Sequence, residues 1–185
     1  MSSEEVAIEH VPAATLLGTL RRRVVDVWAS AHDLPRASPT REEFGRTRLR
    51  RHSERDDFRF LGAFAAEERL VGFVYGYTGA PGQWWYDRVA RALDREARRR
   101  WLEPGHFEFT ELAVHPEFQG RGVGSRLHDR VLDGLPHERA MLSALADNAP
   151  VVAFYRRRGW EPVLARLRFE AGRPEFTIMG RELPG

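Results

Sequence analysis

Apolar residues recur at helical spacing in residues 13–31, 85–101 and 122–135 of this chain, which predicts three helices. Start and stop signals predict two more, the second helix over residues 40–52 and the last over residues 148–159. In the second helix, Thr40 with Glu43 three residues later is a capping-box pattern and predicts where that Arg-rich helix begins. In the segment 85–101, apolar residues fall at strict intervals of four from Trp85 to Trp101, which predicts one continuous helix.

Shorter apolar or alternating runs predict seven strands. They lie at residues 6–9, 58–65, 70–77, 107–114, 140–146, 163–169 and 176–179. The second and third runs are separated by three polar residues, 67–69, and this spacing predicts an antiparallel hairpin. Because the chain contains no repeat, low-complexity tract or linker, we expect one mixed α/β domain over residues 1–185.

Composition narrows the function classes. The 29 cationic side chains, all Arg, nearly balance 27 Asp and Glu, so the net charge of +2 favours no nucleic-acid partner. The absence of Cys excludes disulfide bonds and cysteine catalysis, and the seven scattered His form no metal motif, so no metal is expected. No apolar run reaches the ~20 residues of a membrane span, and the acidic start is untypical of a signal peptide. We therefore expect a cytoplasmic protein without a membrane partner.

The most informative segment is residues 109–127, where a predicted strand runs into a glycine-rich turn and then a helix. Gly120, Gly122 and Gly124 let the backbone approach a ligand, and a helix start offers N–H groups to an anion such as a pyrophosphate. The turn lacks the Lys of a Walker P-loop and, in either register, the third glycine of the dinucleotide motif. By itself, such a turn is equally compatible with close packing of a strand against a helix.

Two segments resemble the GNAT-type (general control N-acetyltransferase-related) acyl-CoA N-acyltransferases. Residues 119–124, Gln-Gly-Arg-Gly-Val-Gly, fit the Q/R-x-x-G-x-G/A motif of that family. Residues 148–160 resemble its N-x-x-A-x-x-x-Y-x-x-x-G-F block, with Val151 in place of Ala and Trp160 in place of Phe. The resemblance is specific over residues 107–162 and rests on the order of the elements elsewhere.

The resemblance implies a GNAT-like α/β (α+β) fold. Its mixed, mostly antiparallel central sheet is flanked by helices and splayed between the fourth and fifth strands, where acetyl-CoA binds. Backbone groups of the fourth strand would hold the pantetheine arm, and the glycine turn would hold the pyrophosphate. The implied cofactor-binding residues are Leu112, Ala113, Val114, Gln119, Gly120, Arg121, Gly122, Val123, Gly124, Ser125 and Asn148.

The implied reaction is attack of a neutral amine on the thioester, so a base must take the proton of the ammonium form. Glu111 is the candidate base, acting directly or through a water, because family members often place an acidic residue there. The alternative is a structural salt bridge to an Arg. Glu108, which strand alternation places on the opposite face, and His115, beside Pro116, rank below it.

Three aromatic residues complete the candidate site. The resemblance places the Tyr155 hydroxyl where it could protonate the departing sulfur of CoA, and the alternative is a core-facing ring beside Phe154. Trp84 and Tyr86 lie on a segment that varies within the family and are candidate substrate-binding residues, whereas Trp85 is expected in the core.

The resemblance implies the function of an acetyl-CoA-dependent N-acetyltransferase, and the all-Arg, Ala-rich composition indicates a bacterial source. The enzyme would act by direct attack in a ternary complex on the primary amine of a small molecule. One alternative is acetylation of a protein N terminus or Lys, and another is a non-catalytic acyl-CoA sensor. Dimers are frequent in this family, and the terminal strand at residues 176–179 is a candidate edge for a homodimer.

Overall fold

The computed structural model describes residues 5–184, in which the predicted strands and helices form in the predicted order. Residues 1–4, part of the acidic start considered above, lie outside the described residues. Two compact units are present, one of Met1–Tyr77 with Thr110–Gly134 and the other of Thr78–Phe109 with Leu135–Gly185. The single domain expected over residues 1–185 stays a prediction.

Seven strands lie in residues 5–184: β1 Ala7–His10, β2 Arg59–Ala65, β3 Arg69–Gly79, β4 His106–Val114, β5 Arg139–Leu145, β6 Glu161–Arg168 and β7 Glu175–Glu182. The helices are α1 Ala13–Thr15, α2 Arg21–Ala31, α3 Pro39–Glu43, α4 Leu49–Ser53, α5 Trp84–Ala92, α6 Arg95–Trp101, α7 Val123–Leu132 and α8 Ala149–Arg156. Two π-helical segments, Leu16–Leu20 and Phe44–Arg48, join α1 to α2 and α3 to α4. The predicted mixed α/β class with mostly antiparallel strands is confirmed.

The first unit is built on the predicted hairpin. β2 pairs antiparallel with β3 and with β1, and β3 lies beside β4, whose following residue His115 donates its backbone N–H to the Val71 carbonyl at 2.8 Å. One core cluster fills this unit, with Trp28 of α2 and Phe44 packed against residues of β2 and β3. The apolar stripe predicted for residues 13–31 is therefore a buried face, and it positions α2 against the strands.

The second unit contains the parallel pair. Phe107 lies opposite Ala140, and β5 continues in antiparallel pairing with β7, which pairs in turn with β6. Since β7 lies between β5 and β6, it is not an edge strand, and the prediction of a dimer edge at residues 176–179 is wrong. Sequential order suggested an edge, but the strand inserts between two partners. The predicted splay between the fourth and fifth strands stays a prediction.

Two details of the helices also differ from the predictions. The second helix begins at Pro39, after Ser38, so Thr40 is not an N-cap. Proline suits the first helical position because its φ is already helical and its missing N–H would have no helical partner there. The predicted helix over residues 85–101 is instead two helices, because Leu93 is extended and the Asp94 carboxylate caps α6 by accepting from the Ala97 N–H at 2.8 Å.

The interval of four nevertheless identified the buried side of this segment. Trp85, Val89, Leu93 and Trp101 are all buried in the core of the second unit, on both sides of the break. None of the helices in residues 5–184 combines the length and the apolar character that crossing a membrane requires.

Candidate functional site

Glu111, the candidate base, lies on β4 in the first unit and has two hydrogen-bond partners from α2 and the residue that follows it. Its Oε2 accepts from the indole N–H of Trp28 at 3.0 Å, and its Oε1 lies 3.2 Å from Nε2 of His32. The carboxylate is largely covered, with 17% of the side chain exposed. The alternative of a structural salt bridge to an Arg is not what the described residues show, since the partners are an indole and an imidazole.

Packing fixes the indole. Trp28 is buried and stacks on Phe44 with ring centroids 4.1 Å apart, and Phe44 packs in turn against Phe73 of β3. An indole N–H can only donate a hydrogen bond, so Oε2 of Glu111 is the acceptor in this contact. The apolar face of α2, packed in the core, therefore fixes the position of the Trp28 N–H that contacts the candidate base Glu111.

His32 follows one turn after Trp28, at the C-terminal end of α2. Its side chain is 48% exposed, and its ring lies 5.1 Å from the Trp28 ring. The hydrogen bond to Glu111 raises the pKa of His32 above its usual value, although burial and the nearby Arg48 guanidinium act in the opposite direction. Neither partner of Glu111 was predicted from the sequence. The spacing of four between Trp28 and His32 places them on one helix face and could have indicated the pair.

The glycine turn lies in the same unit, between β4 and α7. Gly120 and Gly122 adopt left-handed φ values of 72° and 78°, and Gly122 is the N-cap of α7. A Cβ added at either position would meet no atom within 4 Å. Close packing therefore does not explain these two glycines; the backbone conformation requires them, and it leaves open space beside the turn.

The start of α7 is suited to an anion. The first turn carries no acidic residue, and Gly122 has no side chain that could occupy the first N–H groups. Arg121 is exposed, and its guanidinium lies 5.1 Å from the Phe118 ring centroid. A helix N-terminus with exposed N–H groups and an adjacent Arg favours a phosphate-bearing ligand.

Gln119 has a local partner in this structure. Its side-chain amide donates to the Val114 carbonyl at 2.9 Å and so ties the turn to the end of β4. Val114 is one of the three residues whose backbone groups were predicted to bind the pantetheine arm, together with Leu112 and Ala113. A ligand using the Val114 carbonyl or the Gln119 amide has to replace this bond.

Two residues of the second motif lie in the second unit and have structural partners. The Asn148 side chain is the N-cap of α8 and accepts from the Val151 N–H at 3.3 Å. Tyr155 is buried, and its ring meets Phe109 and Trp160 edge-on at 5.9 and 5.8 Å. The ring of Tyr155 thus packs as the core-facing alternative expected, while the role of its hydroxyl stays a prediction.

The candidate substrate residues differ in environment. Trp84 is 45% exposed, with the Arg88 guanidinium 4.1 Å from its ring centroid. Tyr86 stacks on the buried His106 with centroids 5.8 Å apart, and burial raises the pKa of its phenol. Of the two, Trp84 presents the larger accessible surface. Trp85 is buried, as expected.

The lower-ranked candidate bases are engaged or buried. Nδ1 of His115 accepts from the Glu117 N–H at 3.4 Å, which makes its ring a cap for the short 3₁₀ turn Pro116–Phe118. Glu108 is buried in the second unit at 4% exposure. In the described part of the chain, residues 5–184, His, Asp and Glu form no cluster of three that could hold a metal ion.

The model of the acetyltransferase (GNAT) family matches residues 27–160, a region that includes Trp28, Glu111, the glycine turn and Tyr155. A GCN5-like protein acetyltransferase of Mycobacterium tuberculosis is 37% identical over 122 residues, which cover 62% of this chain and 59% of the relative. A mycothiol acetyltransferase of Rhodococcus opacus is 36% identical over 115 residues, covering 60% of this chain and 35% of that protein.

These matches span only part of each curated relative, so they describe a shared region and not two whole proteins. Among solved structures, the protein PH1933 of Pyrococcus horikoshii superimposes with a TM-score of 0.70 at 17% identity, covering 98% of this chain and 100% of that one. At this identity the likeness supports the fold alone.

Proposed function

Because the chain belongs to the acetyltransferase (GNAT) family, we propose that it transfers an acetyl group from acetyl-CoA to a primary amine. One observation carries this proposal: the turn before α7 holds Gly120 and Gly122 in left-handed conformations, with open space where side chains would stand. That geometry frees the N–H groups at the helix start for a pyrophosphate. Arg121, exposed beside the turn, adds a charge that suits it.

The pyrophosphate binds the amides of residues 120–125 with help from Arg121 and Gln119, and the pantetheine arm binds backbone groups of residues 112–114. Asn148 contacts the cosubstrate near the start of α8. Since Gln119 and Val114 are bonded to each other, binding exchanges that hydrogen bond for contacts with the ligand.

The chemical demand on the protein is removal of one proton. An amine of pKa near 10.4 needs about 4–5 kcal/mol to be neutral at pH 7, at 1.36 kcal/mol per unit. We assign removal of this proton to the Glu111 carboxylate, which acts as the base directly or through an intervening group such as a water. The Trp28 N–H supports the assignment, because its hydrogen bond to Oε2 orients the Glu111 carboxylate.

Collapse of the intermediate then releases CoA. A thiol with a pKa near 8.5 leaves moderately well as the thiolate, so a proton donor helps without being indispensable. We assign this donor to the Tyr155 hydroxyl, which is protonated at neutral pH. The aromatic neighbours of its ring support the assignment by limiting how the phenol can turn.

The acceptor is proposed to be a small-molecule amine, with Trp84 and Tyr86 contributing to its site. The similarity to a mycothiol acetyltransferase supports this class. A protein amino group is the second candidate, favoured by the 37% identity with a protein acetyltransferase. We also propose that residues 1–185 form a single domain and that the protein is a homodimer. Light scattering measures the oligomeric state.

One experiment tests the function and separates the acceptor classes. Purified protein is incubated with acetyl-CoA and, in parallel, with a panel of small amines, Lys peptides and peptides with free N termini, and the release of CoA thiol is measured. We expect release with members of one class only. If acetyl-CoA raises the melting temperature but no amine or peptide yields CoA thiol, the chain is a sensor and not an enzyme.

A further inference from the structure

His32 and Glu111 form a polar pair that connects a covered carboxylate to solvent. Nε2 of His32 lies 3.2 Å from Oε1 of Glu111, and the exposed fraction rises from 17% for the Glu111 side chain to 48% for His32. Nδ1 of His32 makes no hydrogen bond to any of residues 5–184. The ring thus has one nitrogen held by the carboxylate and one available.

The carboxylate decides which nitrogen carries the hydrogen. Oε2 of Glu111 accepts from the Trp28 indole, which can only donate, so His32 contacts the other oxygen, Oε1. A carboxylate oxygen facing Nε2 favours the N–H there. In the neutral ring the basic lone pair therefore lies on Nδ1.

The groups that face His32 are few. Glu111 approaches from β4 and Arg48 from the π-helical segment, while the Trp28 ring packs beside it on the same helix. Glu111 raises the pKa of the imidazole, burial and Arg48 lower it, and the net direction is upward. Imidazoles in model peptides titrate about two units above carboxylates, which brings them closer to the pKa of an ammonium group.

We propose that His32 is the group that accepts the proton of the acceptor amine, and that Glu111 acts through it as the positioning residue. The N–H bond of the ammonium breaks, directly or through one water, and an Nδ1–H bond forms on the imidazole. Nε2–H stays on Glu111, and the imidazolium returns its proton to solvent through its exposed edge. This inference rests on the proposed acetyl transfer and names the intervening group for Glu111.

The test uses the full chain and an amine of high pKa that releases CoA with the wild-type protein. His32→Gln keeps an amide N–H that can reach Glu111 but cannot take up a proton. We expect kcat to fall about 100-fold with the KM for acetyl-CoA unchanged. In His32→Ala, which vacates the half-exposed site of the ring, added imidazole should restore a large part of the rate. His10→Gln, at an exposed position on β1, is the control and should change neither the rate nor the response to imidazole.

A second readout separates proton acceptance from a structural role. The NMR titration of the His32 ring should move to lower pH in Glu111→Gln, and the acid limb of the kcat profile should move with it and disappear in His32→Gln. Wild-type kcat in His32→Gln, or a loss that leaves the acid limb in place and that imidazole does not rescue in His32→Ala, overturns the inference. Neither result touches the proposed function, which fails only if the wild-type protein releases no CoA with any acceptor.

Discussion

The region around Glu111 and the glycine turn and the region around Asn148 and Tyr155 differ in the structural contacts that their residues make. In the first unit Nδ1 of His32 has no hydrogen bond to the described residues, and open space lies beside Gly120 and Gly122. In the second unit Asn148 caps a helix and Tyr155 packs among aromatic rings. A motif residue can therefore serve a ligand, the fold or both.

The largest effect is expected at Glu111, whose partner His32 is half exposed. Glu111→Gln keeps an acceptor for the Trp28 N–H but removes the charge, so turnover of a high-pKa amine at pH 7 should fall about 10²–10³-fold. The loss should be smaller for an amine of pKa near 8 and should shrink as the pH approaches the pKa of the amine. Steady-state kinetics with two such amines from pH 6.5 to 9.5 measure this.

The matched control is Glu117→Gln, which removes a carboxylate from the same unit. Glu117 pairs with Arg69 at 2.6 Å in the exposed turn after β4, and its loss should leave turnover unchanged. If the loss of turnover in Glu111→Gln is equal for all amines and independent of pH, this residue has a structural role. The two regions would then not differ in this respect.

The glycine turn provides the second test. Acetyl-CoA at 100 times its Kd should add about 2.7 kcal/mol to the free energy of unfolding, and so raise the melting temperature by about 5–10 °C. Gly122→Val should remove most of this rise, because a β-branched side chain strains a φ of 78° and covers the start of α7. Differential scanning fluorimetry with and without acetyl-CoA gives both values.

Gly172→Val is the control for backbone strain. Gly172 has a φ of 75° and open space around it, in the turn between β6 and β7 of the second unit. Both variants should lower the melting temperature of the free protein, but Gly172→Val should keep the rise with acetyl-CoA. Equal rises in the two variants would mean that the turn before α7 binds no phosphate.

Tyr155 tests whether a packed residue in the second region also has a chemical task. Tyr155→Phe keeps the ring contacts with Phe109 and Trp160 and removes only the donor, so kcat should fall about 10–100-fold with little change in stability. Tyr75→Phe is the control: it removes a hydroxyl that lies 3.1 Å from His52, which should cost stability and leave kcat unchanged. Normal kcat in Tyr155→Phe, when chemistry limits turnover, would leave this residue with packing alone.

The smallest effects are expected on the free energy of unfolding at acidic pH. Here the two units should behave alike. Burial lowers the pKa of His52 in the first unit and of His106 in the second to about 3. Each ring is neutral in the folded protein, whereas the unfolded chain binds a proton below pH 6.5, so stability falls as the pH drops below 6.5. The loss is about 2 kcal/mol per ring at pH 5. Urea unfolding at pH 7.5 and at pH 5 measures the loss of unfolding free energy between the two pH values. This loss should be smaller by the same amount in His106→Leu and in His52→Asn than in the wild-type protein. The exposed His10→Asn should not change it.

Much of both regions could be predicted from neighbouring residues. The capping of α8 by Asn148 joins residues three apart, and the left-handed glycines of the turn precede a helix, so a local motif contains all the atoms involved. The break between α5 and α6 is equally local, since Asp94 caps Ala97, but the interval of four concealed it because both helices bury the same kind of face. The match to the family model confirms the family resemblance that these motifs indicated.

The sequence by itself determined the fold class, the order of the strands and helices, the glycine turn before α7 and Glu111 as the carboxylate to examine. Only the tertiary structure decided what that carboxylate contacts, because Trp28 and His32 are 83 and 79 residues away along the chain. It also decided that β7 lies between β5 and β6. Hydrophobic periodicity tells which face of an element is buried, but a buried face is compatible with many partners. The partner is chosen by strand pairing and core packing, which join residues remote in sequence and complete the polar pair at Glu111.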